Sequence, residues 1–137
     1  MPSRDEAKST ILLFDESEAA RGGLVNLLTR RDGLDIIGAV GSEQAAADVL
    51  AREEPDIVLF DMHHSNARGP SICAALRNLT SSPIVVLASF MTPQRWSELK
   101  DVGADEFLLK RVDSAALERD LVRIARDYKR QGRPGGT

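Results

Sequence analysis

The chain has a single cysteine, Cys73, in 137 residues. That excludes an internal disulfide and a cysteine-built zinc site, and it suits a reducing compartment, so the cytoplasm is the expected location. No apolar stretch approaches the roughly 20 residues of a membrane-spanning helix. The polar start, MPSRDEAKS, leads into only five apolar-rich residues and does not make the apolar segment of a secretory signal. A surplus of positive charge is also missing: Lys and Arg number 18 against 21 Asp and Glu, a formal net charge of -3. Neither nucleic acid nor a membrane surface is therefore the expected partner. Internal repeats are absent, and the length is about one domain's worth, too short for two ordinary ones. What is present is an ordinary globular mix, 42% hydrophobic and 28% charged, which should fold by itself.

Five short runs are rich in β-branched and aliphatic residues: Thr10 to Phe14, Leu34 to Val40, Asp56 to Phe60, Ile84 to Leu87 and Glu106 to Leu109. Most are near-continuously apolar, as strands of a parallel sheet covered on both faces are. Between them apolar residues recur at helical spacing: Ala20, Leu24, Leu27 and Leu28; Ala46, Val49 and Leu50; Ile72, Ala75, Leu76 and Leu79; Trp96 and Leu99; Leu117, Leu121, Ile124 and Tyr128. Ser42 and Asp113 are placed to cap helices, Pro70 and Pro93 to occupy first turns, and Gly33 and Gly103 to follow helix ends. The pattern predicts an α/β fold, a five-stranded parallel sheet with right-handed crossovers and helices on both faces. Residues 1–8 read as a polar extension, 9–130 as the domain, and 131–137 (QGRPGGT) as a flexible tail or the start of a linker.

In an open parallel sheet, ligands bind beyond the carboxyl ends of the strands. Asp15 and Glu16 follow the first strand, Asp61 the third and Lys110 the fifth. Three carboxylates and an ammonium thus map to one edge, although they lie far apart in sequence. Clustered oxygen ligands suit Mg²⁺, which keeps several waters and binds phosphate oxygens. An aspartate beside such an ion is a competent nucleophile toward phosphorus, and a lysine can neutralise the charge that transfer develops.

The segments ILLFDES (11–17), PDIVLFD (55–61), PIVVLAS (83–89) and GADEFLLK (103–110) resemble the receiver domain of bacterial response regulators, over about residues 9 to 130. ARGGLVNLL (20–28) and LDIIGAVGSEQAA (34–46) resemble receivers that precede a helix-turn-helix output domain; no such domain is expected within these 137 residues. The resemblance implies a flavodoxin-like (βα)5 fold with strand order 2-1-3-4-5. It implies Asp61 as phospho-acceptor, with Lys110 as its catalytic partner. Asp15, Glu16, Asp61 and the backbone carbonyl of His63 become the Mg²⁺ ligands, and Phe107 becomes the aromatic that reorients on activation. It further implies a phospho-accepting regulatory domain that catalyses only its own phosphoryl uptake and loss. The donor would be a histidine kinase, a phosphotransfer protein or a small phosphodonor. Output would pass to a downstream partner or a second copy through the face of the fourth helix, fifth strand and fifth helix.

Two departures stand out. Ala88 occupies the position where the family places Thr or Ser, and the hydroxyl of Ser89, one residue on, should point to the other side of the strand. After the acceptor the chain reads MHHSNARG, so His64 and Ser65 replace the family's Met-Pro while Gly69 is kept. Adjacent His63 and His64 without a helical i,i+4 partner read as exposed loop residues rather than as a transition-metal site. Trp96 and Cys73 read as packing residues. Arg119, Arg123, Arg126 and Arg130 form a basic stripe, read as a solvated face partly neutralised by Glu118, Asp120 and Asp127. The rival to a phosphorylatable switch is a phosphorylation-independent pseudo-receiver acting as an interaction module, motivated by Ala88. A small phosphohydrolase fits poorly, since the second acid two residues after the nucleophile is missing.

Overall fold

The computed structural model describes residues 8–63, 67–110 and 113–131. Most of the sequence-read N-terminal extension and tail, together with His64 and Ser65, lies outside them. The elements alternate strictly: β1 (Ser9–Phe14), α1 (Glu18–Thr29), β2 (Leu34–Val40), α2 (Glu43–Leu50), β3 (Ile57–Asp61), α3 (Gly69–Leu79), β4 (Ile84–Ala88), α4 (Pro93–Asp101), β5 (Glu106–Leu109) and α5 (Ser114–Arg130). The five strands form one parallel sheet in the order β2-β1-β3-β4-β5, as the resemblance implies.

Side-chain alternation divides the core into two layers. Leu12, Phe14, Val58, Phe60, Val86 and Ala88 face α2, α3 and α4, where Ala46, Ile72, Cys73, Leu76 and Leu99 meet them. Ile11, Leu13, Ile57, Leu59, Val85 and Leu87 face α1 and α5, against Leu28, Leu117, Leu121 and Ile124. The central strands β1, β3 and β4 are buried on both sides, which explains their unbroken apolar runs. Between Ile11 and Leu12 the pairing with β2 slips by one residue, skipping Ile37, a bulge that adds local twist.

Local chemistry sets the boundaries. Ser17, Ser42, Thr92 and Asp113 each accept a backbone N–H of the following first turn. Gly103 has φ 119; its N–H donates to Lys100 O and that of Ala104 to Leu99 O, both at 3.0 Å, closing α4 in a Schellman motif. Gly33 does not act as a left-handed cap. Its N–H donates to Glu118 Oε2 at 2.6 Å, and a Cβ there would sit 2.7 Å from that oxygen, so the glycine is explained by close approach. Asp56, read as the start of the third strand, precedes β3; its carboxylate accepts from Thr10 N–H at 2.9 Å while its own N–H donates to Thr10 Oγ1 at 2.8 Å. Glu118 also bonds Arg31 at 3.0 Å instead of neutralising the arginine stripe. Asp120 and Asp127 do flank Arg123, each at 3.9 Å.

Candidate functional site

Three strands deliver the site to the carboxyl edge of the sheet. Asp15 follows β1 and is fully buried. Asp61 ends β3 in register with Leu87 and is 3% exposed. Lys110 leaves β5 with its N–H donating to Ala88 O at 2.8 Å, which fixes its stem beside β4. Its ammonium lies 2.9 Å from Asp61 Oδ1, with the lysine side chain 34% exposed and so still open to solvent.

Asp15 Oδ1 accepts the Ser17 N–H at 2.9 Å and lies 2.9 Å from His63 Nε2. One ligating atom from each of Asp15, Asp61 and His63 falls within 4.8 Å of the others. Asp15 Oδ2 is buried and has no hydrogen-bond donor among the described residues, and Asp61 Oδ1 has the lysine ammonium but no hydrogen bond of good geometry. A buried carboxylate short of donors is costly. Burial first, then the Asp15 carboxyl beside it, push Asp61 up from 3.8 to about 6, against the opposing pull of Lys110.

The sequence-predicted set is thus gathered in part. Asp15, Asp61 and Lys110 converge, as does His63, but through its imidazole, whereas the sequence reading assigned it only a carbonyl and took its side chain for an exposed one. Glu16 is not in the three-residue cluster; its carboxylate pairs with Arg68 at the start of α3, which also pairs with Glu43 on α2. Gly69 leaves room for Met62, since a Cβ there would lie 2.7 Å from the sulfur. The sequence reading missed the Arg68 bridge and the direction of His63. Only the position of His63, two residues past Asp61 on the same edge, hinted at it.

Ala88 is buried on the α3/α4 side, where Phe107 and Trp96 also pack; their ring centroids are 4.9 Å apart at 61°. Ser89 is exposed beyond the strand. Beside Asp61 and Lys110 opens a cavity of about 280 Å³ walled by Gly23, Leu24 and Leu27 of α1 with Leu117 of α5. Cys73 is buried in α3, and burial pushes its thiol up to about 11, which leaves it un-ionised and inert.

The chain is thus a doubly wound α/β domain with a buried aspartate at the end of its central strand, a lysine on it and a second acid beside it. The chain belongs to the response regulator receiver domain family, whose model matches residues 11–122. That family is a regulatory, phospho-accepting domain of two-component signal transduction. Among curated relatives, the chain is 30% identical over 121 residues to the sensory transduction protein LytT of Bacillus anthracis, covering 88% of this chain and 47% of that protein. It is 31% identical over 132 residues to the sensory/regulatory protein RpfC of Xanthomonas campestris, covering 93% and 18%. The chain therefore spans about half or less of the length of these relatives. In fold it is similar to the signal receiver domain of the putative response regulator NarL from Mycobacterium tuberculosis, with a TM-score of 0.71 at 21% identity over 87% of this chain and 97% of that one. The receiver domain of a modulated diguanylate cyclase from Desulfovibrio desulfuricans gives 0.72 at 22% identity over 90% and 98%. No helix among the described residues is long and apolar enough to cross a membrane.

Proposed function

We propose that this domain accepts a phosphoryl group on Asp61 and acts through protein contacts within the cytoplasm. The observation that supports it most is the setting of Asp61, buried at the strand end with Lys110 Nζ at 2.9 Å on one side and Asp15 and His63 on the other. A carboxylate oxygen of Asp61 attacks phosphorus, and the bond from phosphorus to the donor's oxygen or nitrogen breaks, its electron pair leaving with the donor. Lys110 balances the charge that spreads onto the phosphoryl oxygens. The orphaned Asp15 Oδ2 fits a Mg²⁺ ion, for which Asp15, Asp61 and the His63 carbonyl are the candidate ligands. When bound, the ion supplies positive charge to the carboxylates and to the incoming phosphate. The apolar wall of α1 beside Asp61 is a suitable seat for a helix of a histidine kinase or phosphotransfer protein.

Acetyl phosphate with Mg²⁺ should add one phosphoryl mass to the intact protein, and Asp61→Asn should abolish it. A wild-type protein that never gains that mass overturns the proposal. The second reading, a pseudo-receiver whose contacts do not depend on phosphate, is favoured by Ala88, because a methyl group offers no hydrogen bond to a phosphoryl oxygen. That missing charge-assisted bond is worth about 1.5–3 kcal/mol, out of roughly 5.5 kcal/mol needed to move a switch from 1:99 to 99:1. Amide exchange of α4 with and without a phosphoryl mimic, in wild type and Ala88→Thr, separates the readings: a full response in the wild type removes the second.

A further inference from the structure

His63 is the feature that the receiver reading leaves unused. Its side chain is two-thirds buried and turned inward, with Nε2 2.9 Å from Asp15 Oδ1, in one cluster with Asp61. The imidazole bonds Oδ1, which also accepts the Ser17 N–H. The fully buried Oδ2 is the one that lacks a donor. The pocket therefore combines an inward imidazole nitrogen with an unpartnered carboxylate oxygen, which is a mixed nitrogen and oxygen ligand set.

We infer that the imidazole of His63 is a metal ligand, and that this pocket takes a first-row transition dication such as Mn²⁺ or Co²⁺ in preference to Mg²⁺. Mg²⁺ favours oxygen donors and sheds water reluctantly, whereas imidazole suits transition dications. The spacing is already appropriate. Two ligand atoms about 2.1 Å from one ion, at adjacent octahedral positions, lie about 3.0 Å apart, and Asp15 Oδ1 and His63 Nε2 are separated by 2.9 Å. Tetrahedral ligands at that bond length would sit about 3.4 Å apart, so a six-coordinate ion fits better than tetrahedral zinc. The remaining positions go to Asp61, water and phosphate oxygens. Asp15 and Asp61 stay common to either ion; His63 alone sets the preference. The chain has only two histidines, His63 and His64, so any imidazole signal has two possible sources.

The inference rests on reading the pocket as a metal-assisted phosphoryl site, and the experiment separates the two. Electron spin-echo modulation of the Mn²⁺-loaded protein should show the nitrogen coupling of a directly bound imidazole. His63→Ala should remove it and His64→Ala should keep it. Calorimetric competition should show that the preference for Co²⁺ over Mg²⁺ falls by about tenfold or more in His63→Ala. Bound Mn²⁺ without nitrogen coupling overturns the inference, since His63 is then only a hydrogen-bond partner of Asp15. Loss of the coupling in His64→Ala instead of His63→Ala overturns it as well. Phosphoryl labelling of the wild type with Mg²⁺ is the separate arm. Label without nitrogen coupling sinks only the metal assignment; nitrogen coupling without label upholds it and sinks the phosphoryl reading.

Discussion

The two ends of the sheet treat their charges in opposite ways. At the amino edge Arg77, Asp105 and Asp56 are each met more than once. Arg77 of α3 donates to the carbonyls of Gly103, Thr80 and Ser82 at 3.0, 2.8 and 2.6 Å and to Asp105 at 3.0 Å. Asp105 accepts the Ile84 N–H at 2.8 Å in return. Asp56 and Thr10 bond each other twice, and Ser82 donates to Pro55 O at 2.6 Å. At the carboxyl edge Asp15 and Asp61 are buried together, with oxygens short of donors and Lys110 on Asp61 at 2.9 Å. Buried charge is tolerable when fully bonded and costly when it is not. The amino edge holds the strands in register; the carboxyl edge gives up stability to keep the acid pocket in which the phosphoryl chemistry is proposed.

The largest expected effect is on the carboxyl side. A carboxyl at about 6 in the folded chain and 3.8 in its ordinary state binds its proton more tightly when folded. The Asp61 contribution to stability is therefore full below about pH 4 and lost as pH rises through 6, by on the order of 3 kcal/mol. Urea unfolding across that range should show Asp61→Asn gaining on the wild type by that amount as pH rises; parallel curves would break the contrast between the edges. Next comes Arg77→Ala, which takes the guanidinium away from Asp105 and three carbonyls and should cost about 2–3 kcal/mol in denaturant unfolding, reduced somewhat by partial exposure of the pair. Gly103→Ala should cost about 1–2 kcal/mol, because φ 119 is strained for alanine and its Cβ would lie 2.5 Å from the Arg77 stem. The smallest effect sharpens the comparison from beside the site. Gly22 sits in α1 with open space around it, so Gly22→Ala should raise stability by about 0.5–1 kcal/mol with no change in phosphoryl uptake.

Most of this fold is legible in the sequence because the sheet is buried on both faces. Ile57 to Phe60 and Ile84 to Ala88 are apolar without a break, and the acids and lysine stand out where those runs stop. Strand order is not in the residues of any one segment; it came from the family resemblance. The amino edge was illegible for a different reason. Arg77 and Asp105 are ordinary charged residues in sequence, and only the meeting of the start of β4, the end of α4 and the last turn of α3 makes them a network. Asp56 reads as part of a strand because its apolar neighbours continue past it. The direction of His63 is not legible, because periodicity says nothing about a side chain two residues past a strand end that turns back across the edge.

The central claim is that one edge of the sheet carries phosphoryl chemistry and the other carries stability. Intact-mass measurement after acetyl phosphate and Mg²⁺, on wild type, Asp61→Asn and Arg77→Ala under conditions where all three remain folded, tests it most directly. The account predicts one phosphoryl mass on the wild type and on Arg77→Ala, and none on Asp61→Asn. A label that persists in Asp61→Asn, or that never forms on the wild type, would contradict it.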